Sequence, residues 1–281
     1  MKKQQSKRWM MLSLAMAMIV MTYKPLITYA VASQPKIPLA NAAKYAVLAY
    51  AGVTNTGTTK IVGDVGVSPL TSITGKETIT ITGAYHEADA SVALAQISLT
   101  EAITNAAGRS ATTILTELGN QTLIGGVYTS ASGTFGITGE LILDGQNNKE
   151  TVFIFKIAST LITAENSKVT LINGAQACNV FWQVGSSATL GTGSMLAGHV
   201  LATESITANT GVIVNGSLLA NTGAVTLSGN TITNSVCSAS TTAGLPDTGV
   251  MDTVLWTSVL LLASAGAWFI SRKKEALTII N

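Results

Sequence analysis

Charge is what this chain has least of. Only 11% of its 281 residues are Asp, Glu, Lys or Arg, and residues 33–248 hold 8 Lys+Arg against 12 Asp+Glu, a net charge of −4. No basic patch survives in that stretch, so a nucleic-acid partner is not expected. Cysteine is limited to Cys178 and Cys237, too few for a Cys-only metal site. Histidine is limited to His86 and His199, and neither has a His or Cys partner at a metal-ligand spacing. Ser186 and Ser187 lie in VGSSA, which lacks the G-x-S-x-G elbow. These absences leave no metal, no cofactor and no catalytic residue to propose.

What the chain has instead is a repeat. Four segments align without gaps: STLITAENSKV from Ser159, GSSATLGTGSM from Gly185, TESITANTGVI from Thr203 and TGAVTLSGNTI from Thr222. The alignment puts Thr163, Thr189, Thr207 and Thr226 at one position, at intervals of 26, 18 and 19 residues. Ile162, Ala188, Ile206 and Val225 precede them, and Ala164, Leu190, Ala208 and Leu227 follow. A short, nearly regular period predicts stacked units, none able to bury its apolar face alone. Apolar–Thr–apolar is a strand alternation, with the flanking positions inward and the threonine outward. The expectation is a β-solenoid carrying a ladder of outward threonines. That ladder is either a recognition face or simply a residue type suited to exposed strands. Polysaccharide-cleaving β-helices need clustered Asp, Lys or Arg in a groove, and these repeats offer Thr, Gly and Asn.

Further strands are expected at 60–69, 78–82, 121–124, 126–128, 134–144 and 152–157, set off by glycines and polar turns. Ile137-Thr138 reads as a fifth, weaker copy, and 173–179 as an insertion that lengthens the first interval. Between Glu87 and Ala107 the period changes. Ala88, Val92, Ala95, Leu99, Ala102, Ile103 and Ala106 recur at helical steps, with Gly108 as the C′ residue and His86 at the helix start. Glu87 and Asp89, two apart, do not face each other on such a helix. Its Ala-rich stripe suits close packing on a flat sheet.

The ends of the chain are apolar. Lys2, Lys3, Lys7 and Arg8, the run Trp9 to Met21 and the small residues Ala30 and Ala32 read as a secretory signal peptide, residues 1–32. An uncleaved anchor is the alternative, although about a dozen apolar residues are short for a bilayer. Near the C-terminus, Val254 to Ile270 is long enough to span, and Arg272, Lys273 and Lys274 follow it. Before it stand Leu245, Pro246, Asp247, Thr248 and Gly249. LPDTG, span and basic tail (245–281) resemble the sorting signal of Gram-positive wall-anchored proteins. That resemblance implies a sortase cutting between Thr248 and Gly249 and linking Thr248 to peptidoglycan, with 238–244 as a stalk. The protein is thus expected to be secreted and held on the cell wall, with a membrane span in the precursor. Export permits a Cys178–Cys237 disulfide, worth about 2–4 kcal/mol; two buried thiols are the alternative.

NGAQACNVFWQVGSSATLGTGS (173–194), VFIFKI (152–157), GDVGVSP (63–69), AYHEADA (84–90) and GAVTLSGNTIT (223–233) resemble the microbial ice-binding-like family. The resemblance covers nearly all of 38–233 and implies, for the domain 33–237, a right-handed parallel β-helix of triangular cross-section with one long α-helix packed alongside. It also implies that the N-terminal turns sit beside the C-terminal ones. Ice-binding members use one flat face, often with T-[AG]-x-[TN] motifs. Thr163-Ala164-Glu165-Asn166 and Thr207-Ala208-Asn209-Thr210 match; Thr189-Leu190-Gly191-Thr192 departs at its second position, and Thr226-Leu227-Ser228-Gly229 at its second and fourth. The implied ice or ligand face is therefore Thr163, Asn166, Thr189, Thr192, Thr207, Thr210 and Thr226, with Glu165 a poor guest on it. Two functions are expected to compete. One is binding of ice on the cell surface; the other is an adhesin or wall component that takes a glycan or host protein.

Overall fold

The computed structural model describes residues 34–238. The signal peptide, nearly all of the stalk, the LPDTG motif and the apolar span 254–270 lie outside the described residues. Within them the protein is mainly β, with one long helix, and every strand pairing is parallel. The chain cannot form hairpins under that constraint, so it coils.

One turn of the coil runs through Ala188–Leu190 and Met195–Ala202 and returns to Ile206–Ala208, which stacks in register on its start. The eight-residue strand bends midway at Gly198 (φ 115), and the next turn, Ile213–Ala220, bends directly above at Gly216 (φ 153). A Cβ on Gly216 would lie 1.8 Å from the Gly198 carbonyl oxygen, so only glycine fits this stacked corner. In the preceding turn the long strand is split into Lys168–Ile172 and Val180–Val184 by the expected insertion at 173–179. One turn earlier, residues 145–152 likewise separate Glu140–Asp144 from Phe153–Ile157. The intervals shorten from 26 to 18 because that corner loop is lost.

The N-terminal strands do not precede the repeats in space. Gly52–Thr56 stacks on Ala224–Ser228, Tyr45–Ala49 on Ile213–Ala220, and Thr59–Val62 on Thr231–Thr233. The coil therefore continues from the C-terminal turns into the N-terminal ones. One seven-stranded sheet records this order: Phe135–Ile137, Leu161–Thr163, Ala188–Leu190, Ile206–Ala208, Ala224–Ser228, Gly52–Thr56 and Ile73–Thr74.

Inside the coil the wider turns are filled by aromatics. Phe155 and Trp182 stack with centroids 4.0 Å apart, and Phe135 meets Phe155 edge-on at 6.0 Å. The Trp182 indole N–H donates to the Ala197 carbonyl at 3.0 Å, which satisfies the one polar atom of the ring. Strands Tyr45–Ala49 and Val180–Val184 are buried at every position. Their continuous apolar runs reflect burial on both faces, inward against the coil and outward beneath the helix.

That helix, α1, spans Ala90–Ala107. Asp89 caps it, accepting the Val92 N–H at 2.9 Å. Val92, Ala95, Leu99, Ala102 and Ala106 form one cluster with Tyr45, Leu48, Ile154, Phe181, Leu201 and Leu219 of the sheet below. Three points differ from expectation. His86 lies on a strand, Tyr85–Glu87, rather than at the helix start. Ala88 is exposed at φ 52, outside the stripe. Gly108 ends the helix at φ −73, in the right-handed region, so no left-handed cap forms. Cys178 and Cys237 form a disulfide with Cα atoms 5.4 Å apart, tying the segment after the last strand to the 173–179 corner.

Candidate functional site

The seven-stranded sheet presents its outer side to solvent, and its register decides which residues line it. Thr189, Thr207 and Thr226 stack in that order, as the repeat predicts. Thr54 stacks on Thr226 and Thr74 on Thr54, extending the row with residues from the N-terminal turns. Five threonines thus occupy one register position on five consecutive strands. Beneath them Ala188, Ile206, Val225 and Val53, together with Leu190, Ala208 and Leu227, are buried in the coil. The alternation holds wherever the strand is one of this row.

Thr163 breaks it. Leu161 pairs with Ala188 and Ile162 with Thr189, so the first repeat is displaced by one residue from the gapless alignment. A one-residue slip moves every side chain to the opposite face. Ile162 is therefore the outward residue, 54% exposed, and Thr163 points inward with 4% exposure. Its hydroxyl is satisfied there: it donates to Ser194 Oγ at 3.1 Å and accepts the Gly191 N–H at 2.9 Å. Thr163 is a structural hydrogen-bonding residue of the turn rather than a member of the face. A further one-residue slip puts Gly136 under Ile162, where the alignment would put Ile137, so the weak fifth copy contributes no side chain to the row.

A second row runs parallel to the first. Backbone N–H groups of Gly193, Gly211, Gly229 and Asn166 donate to the carbonyls of Thr210, Ser228, Thr56 and Thr192 respectively. The residue before each donor is therefore the stacked one, giving the row Glu165, Thr192, Thr210, Ser228 and Thr56, with Ser228 paired to Thr56. Thr210 and Ser228 hydroxyls lie 3.0 Å apart. Asn166 falls one place beyond its expected row, at φ 54, making the left-handed turn that Asn tolerates. Partners stand three residues apart in Thr189/Thr192 and Thr207/Thr210 but two apart in Thr226/Ser228 and Thr54/Thr56. The T-[AG]-x-[TN] spacing misses those last two pairs. Thr54, Thr56, Thr74 and Ser228 were thus absent from the sequence-derived set, although VTNT at 53–56 carries the same alternation.

The face is electrically uneven. Its threonine end carries no ionisable side chain in either row. At the other end stand Glu165 and Glu117, the latter accepting the N–H groups of Gly119 and Thr138 at 2.7 and 2.8 Å. Glu204 sits at the edge, accepting from the Ser186 hydroxyl at 2.8 Å.

The remaining polar clusters lie elsewhere. His86 bridges Asp64 (3.4 Å) and Asp89 (2.6 Å) beside the start of α1. Burial opposes ionisation of Asp64, but the Ala84 N–H and Lys44 outweigh it and hold the carboxyl below its ordinary value. The Val92 N–H, followed by His86, does the same for Asp89. His199 is buried, shares a 2.7 Å hydrogen bond with Ser217 and stacks on Phe181. Burial, and secondarily the charge of Lys36, push its pKa down to about 4. Among the described residues no group of three His, Cys, Asp or Glu could hold a metal, and no helix is long and apolar enough to cross a membrane.

Coil and face together define a parallel β-solenoid that displays a flat sheet lined with threonine. A model of the ice-binding-like family matches residues 47–233, and the chain belongs to that family. It is 42% identical over 199 residues to an ice-binding protein of Nostoc sp. (strain HG1), covering 70% of this chain and 73% of the relative. An ice-binding protein of Flavobacterium frigoris (strain PS1) is 34% identical over 216 residues, covering 70% and 76%. The crystal structure of an ice-binding protein from the Antarctic ascomycete Antarctomyces psychrotrophicus matches with a TM-score of 0.69 at 41% identity, covering 72% of this chain and 100% of that one.

Proposed function

We propose that this protein binds ice through the threonine end of its flat sheet. Thr189, Thr207, Thr226, Thr54 and Thr74 form the main row, and Thr192, Thr210, Ser228 and Thr56 the second. The observation that carries this reading is the unbroken run of five threonines at one register position. Parallel strands hold the rows at a spacing of about 4.7–4.9 Å, so five threonines cover about 19 Å. β-Branching stiffens each side chain, and ordering water against a rigid array of methyl and hydroxyl groups costs little side-chain entropy. The relatives named above are ice-binding proteins, which supports the same non-enzymatic role here.

The scaffold is read as a right-handed β-helix of triangular cross-section. The domain 33–237 is read as exported by the signal peptide 1–32 and joined by the stalk 238–244 to the sorting signal 245–281. A sortase then links Thr248 to peptidoglycan, which places the ice-binding face on the wall of a Gram-positive cell. A second reading, an adhesin for a glycan or host protein, draws on Ile162 and Glu165, which interrupt the array. Recrystallisation inhibition and thermal hysteresis separate the two. The wild type restrains ice growth and Thr207→Tyr, which places a ring in mid-row, abolishes the effect. If both proteins leave ice growth unchanged, the ice reading fails, and if both restrain it equally, the threonine row is not the site.

A further inference from the structure

We infer that Ile162 and Glu165 are the residues that end the ice-binding array, and that the turn carrying them is otherwise built as a sixth turn of it. This rests on the proposed ice-binding reading and goes beyond it by locating the limit of the site.

The backbone of this turn is already in place. Leu161 and Ile162 pair in register with Ala188 and Thr189, and the Asn166 N–H bonds to the Thr192 carbonyl as the corresponding donors do in the neighbouring turns. Ile162 and Glu165 stand three residues apart, as Thr189 and Thr192 do. Both are exposed, so each position meets solvent where its neighbours meet it. Only the side chains differ. Ile162 supplies methyl groups without a hydroxyl, so water above it has no hydrogen-bonding anchor. Glu165 carries a charge that keeps its own hydration shell, and displacing that shell is costly. Among the described residues no ion pair neutralises it: Lys168, the nearest cation in sequence, leans toward Glu140 at 3.9 Å. The following turn has Gly136 at the row position, and beyond it Glu117 stacks on Gly136 with its carboxylate hydrogen-bonded to the Gly119 and Thr138 N–H groups. The array therefore cannot be carried past Ile162 by a side-chain change at the row position alone. The limit therefore falls at one turn and at two residues.

Thermal hysteresis and recrystallisation inhibition of the full chain test this with five proteins: wild type, Ile162→Thr/Glu165→Thr, Glu165→Gln, Thr189→Ile and Thr207→Tyr. The double variant is expected to raise thermal hysteresis at equal concentration by about twofold or more, since contact area grows without new ordering cost. Glu165→Gln recovers part of that gain by removing the charge alone. Thr189→Ile moves the limit one turn inward and lowers activity. All four positions are exposed or half-exposed strand and turn sites, so circular dichroism and melting curves should match the wild type. A double variant equal to wild type, with Thr207→Tyr inactive, overturns the inference and leaves the ice reading standing. An inactive wild type removes the ice reading, and with it the inference, even where the double variant is active. If wild type and double variant are both inactive, the ice reading falls and the inference with it.

Discussion

Acidification should loosen this domain before Asp64 and Asp89 protonate, and His199 is the reason. The imidazole is 3% exposed, hydrogen-bonded to Ser217 and stacked on Phe181, and its pKa is pushed down to about 4 from an ordinary 6.5. The unfolded chain therefore binds this proton more readily than the folded one. Stability rises with pH wherever that is so, which sets the window between about 6.5 and about 4. Across it, at 1.36 kcal/mol per pH unit, the folded state loses about 3 kcal/mol. Asp64 and Asp89, held below their ordinary value of 3.8, contribute their stability above it and lose it only at lower pH. The two effects thus occupy separate ranges. Urea unfolding at a series of pH values from 7 to 4 measures the slope, and His199→Asn, which keeps a partner for Ser217, should flatten it. An Asn variant that loses stability as steeply as wild type refutes the assignment to His199.

Two other expectations concern stability alone. Thr163→Val removes a buried hydroxyl and leaves the Gly191 N–H and Ser194 without their partner, costing about 1–3 kcal/mol. Because Thr163 faces inward, ice activity at a temperature where the variant is folded should be unchanged; a loss there would return Thr163 to the face. Cys178→Ser opens a loop closed across 59 residues and should lower stability by about 2–4 kcal/mol, read as a shift in urea midpoint.

Much of the architecture is legible in local sequence. The apolar–Thr–apolar period in 185–233 gives strands, facing and stacking order together, since a strand with one buried side shows its pleat. The helical steps from Val92 to Ala106 mark a face to be buried, and VFIFKI and NVFWQV mark strands buried on both sides. Even the corner insertion at 173–179 stands out against the shorter period.

What sequence could not decide was alignment at single-residue precision and between distant segments. The strands of the flat sheet are as short as two residues, and in LITA the polar Thr163 imitates an outward position. Only the packed turn reveals that Ser194 and Gly191 wait inside to receive it, so that Ile162 lies outward instead. Likewise nothing local in VTNT or ITG announces that Thr54 and Thr74 will follow Thr226. Parallel pairing joins residues 171 or more positions apart through backbone groups that look alike at every register. The sequence by itself determined that there is a coil and that threonine is its outward residue. Tertiary structure decided which threonines stand in one row, because register is set by how whole turns stack, not by any segment alone.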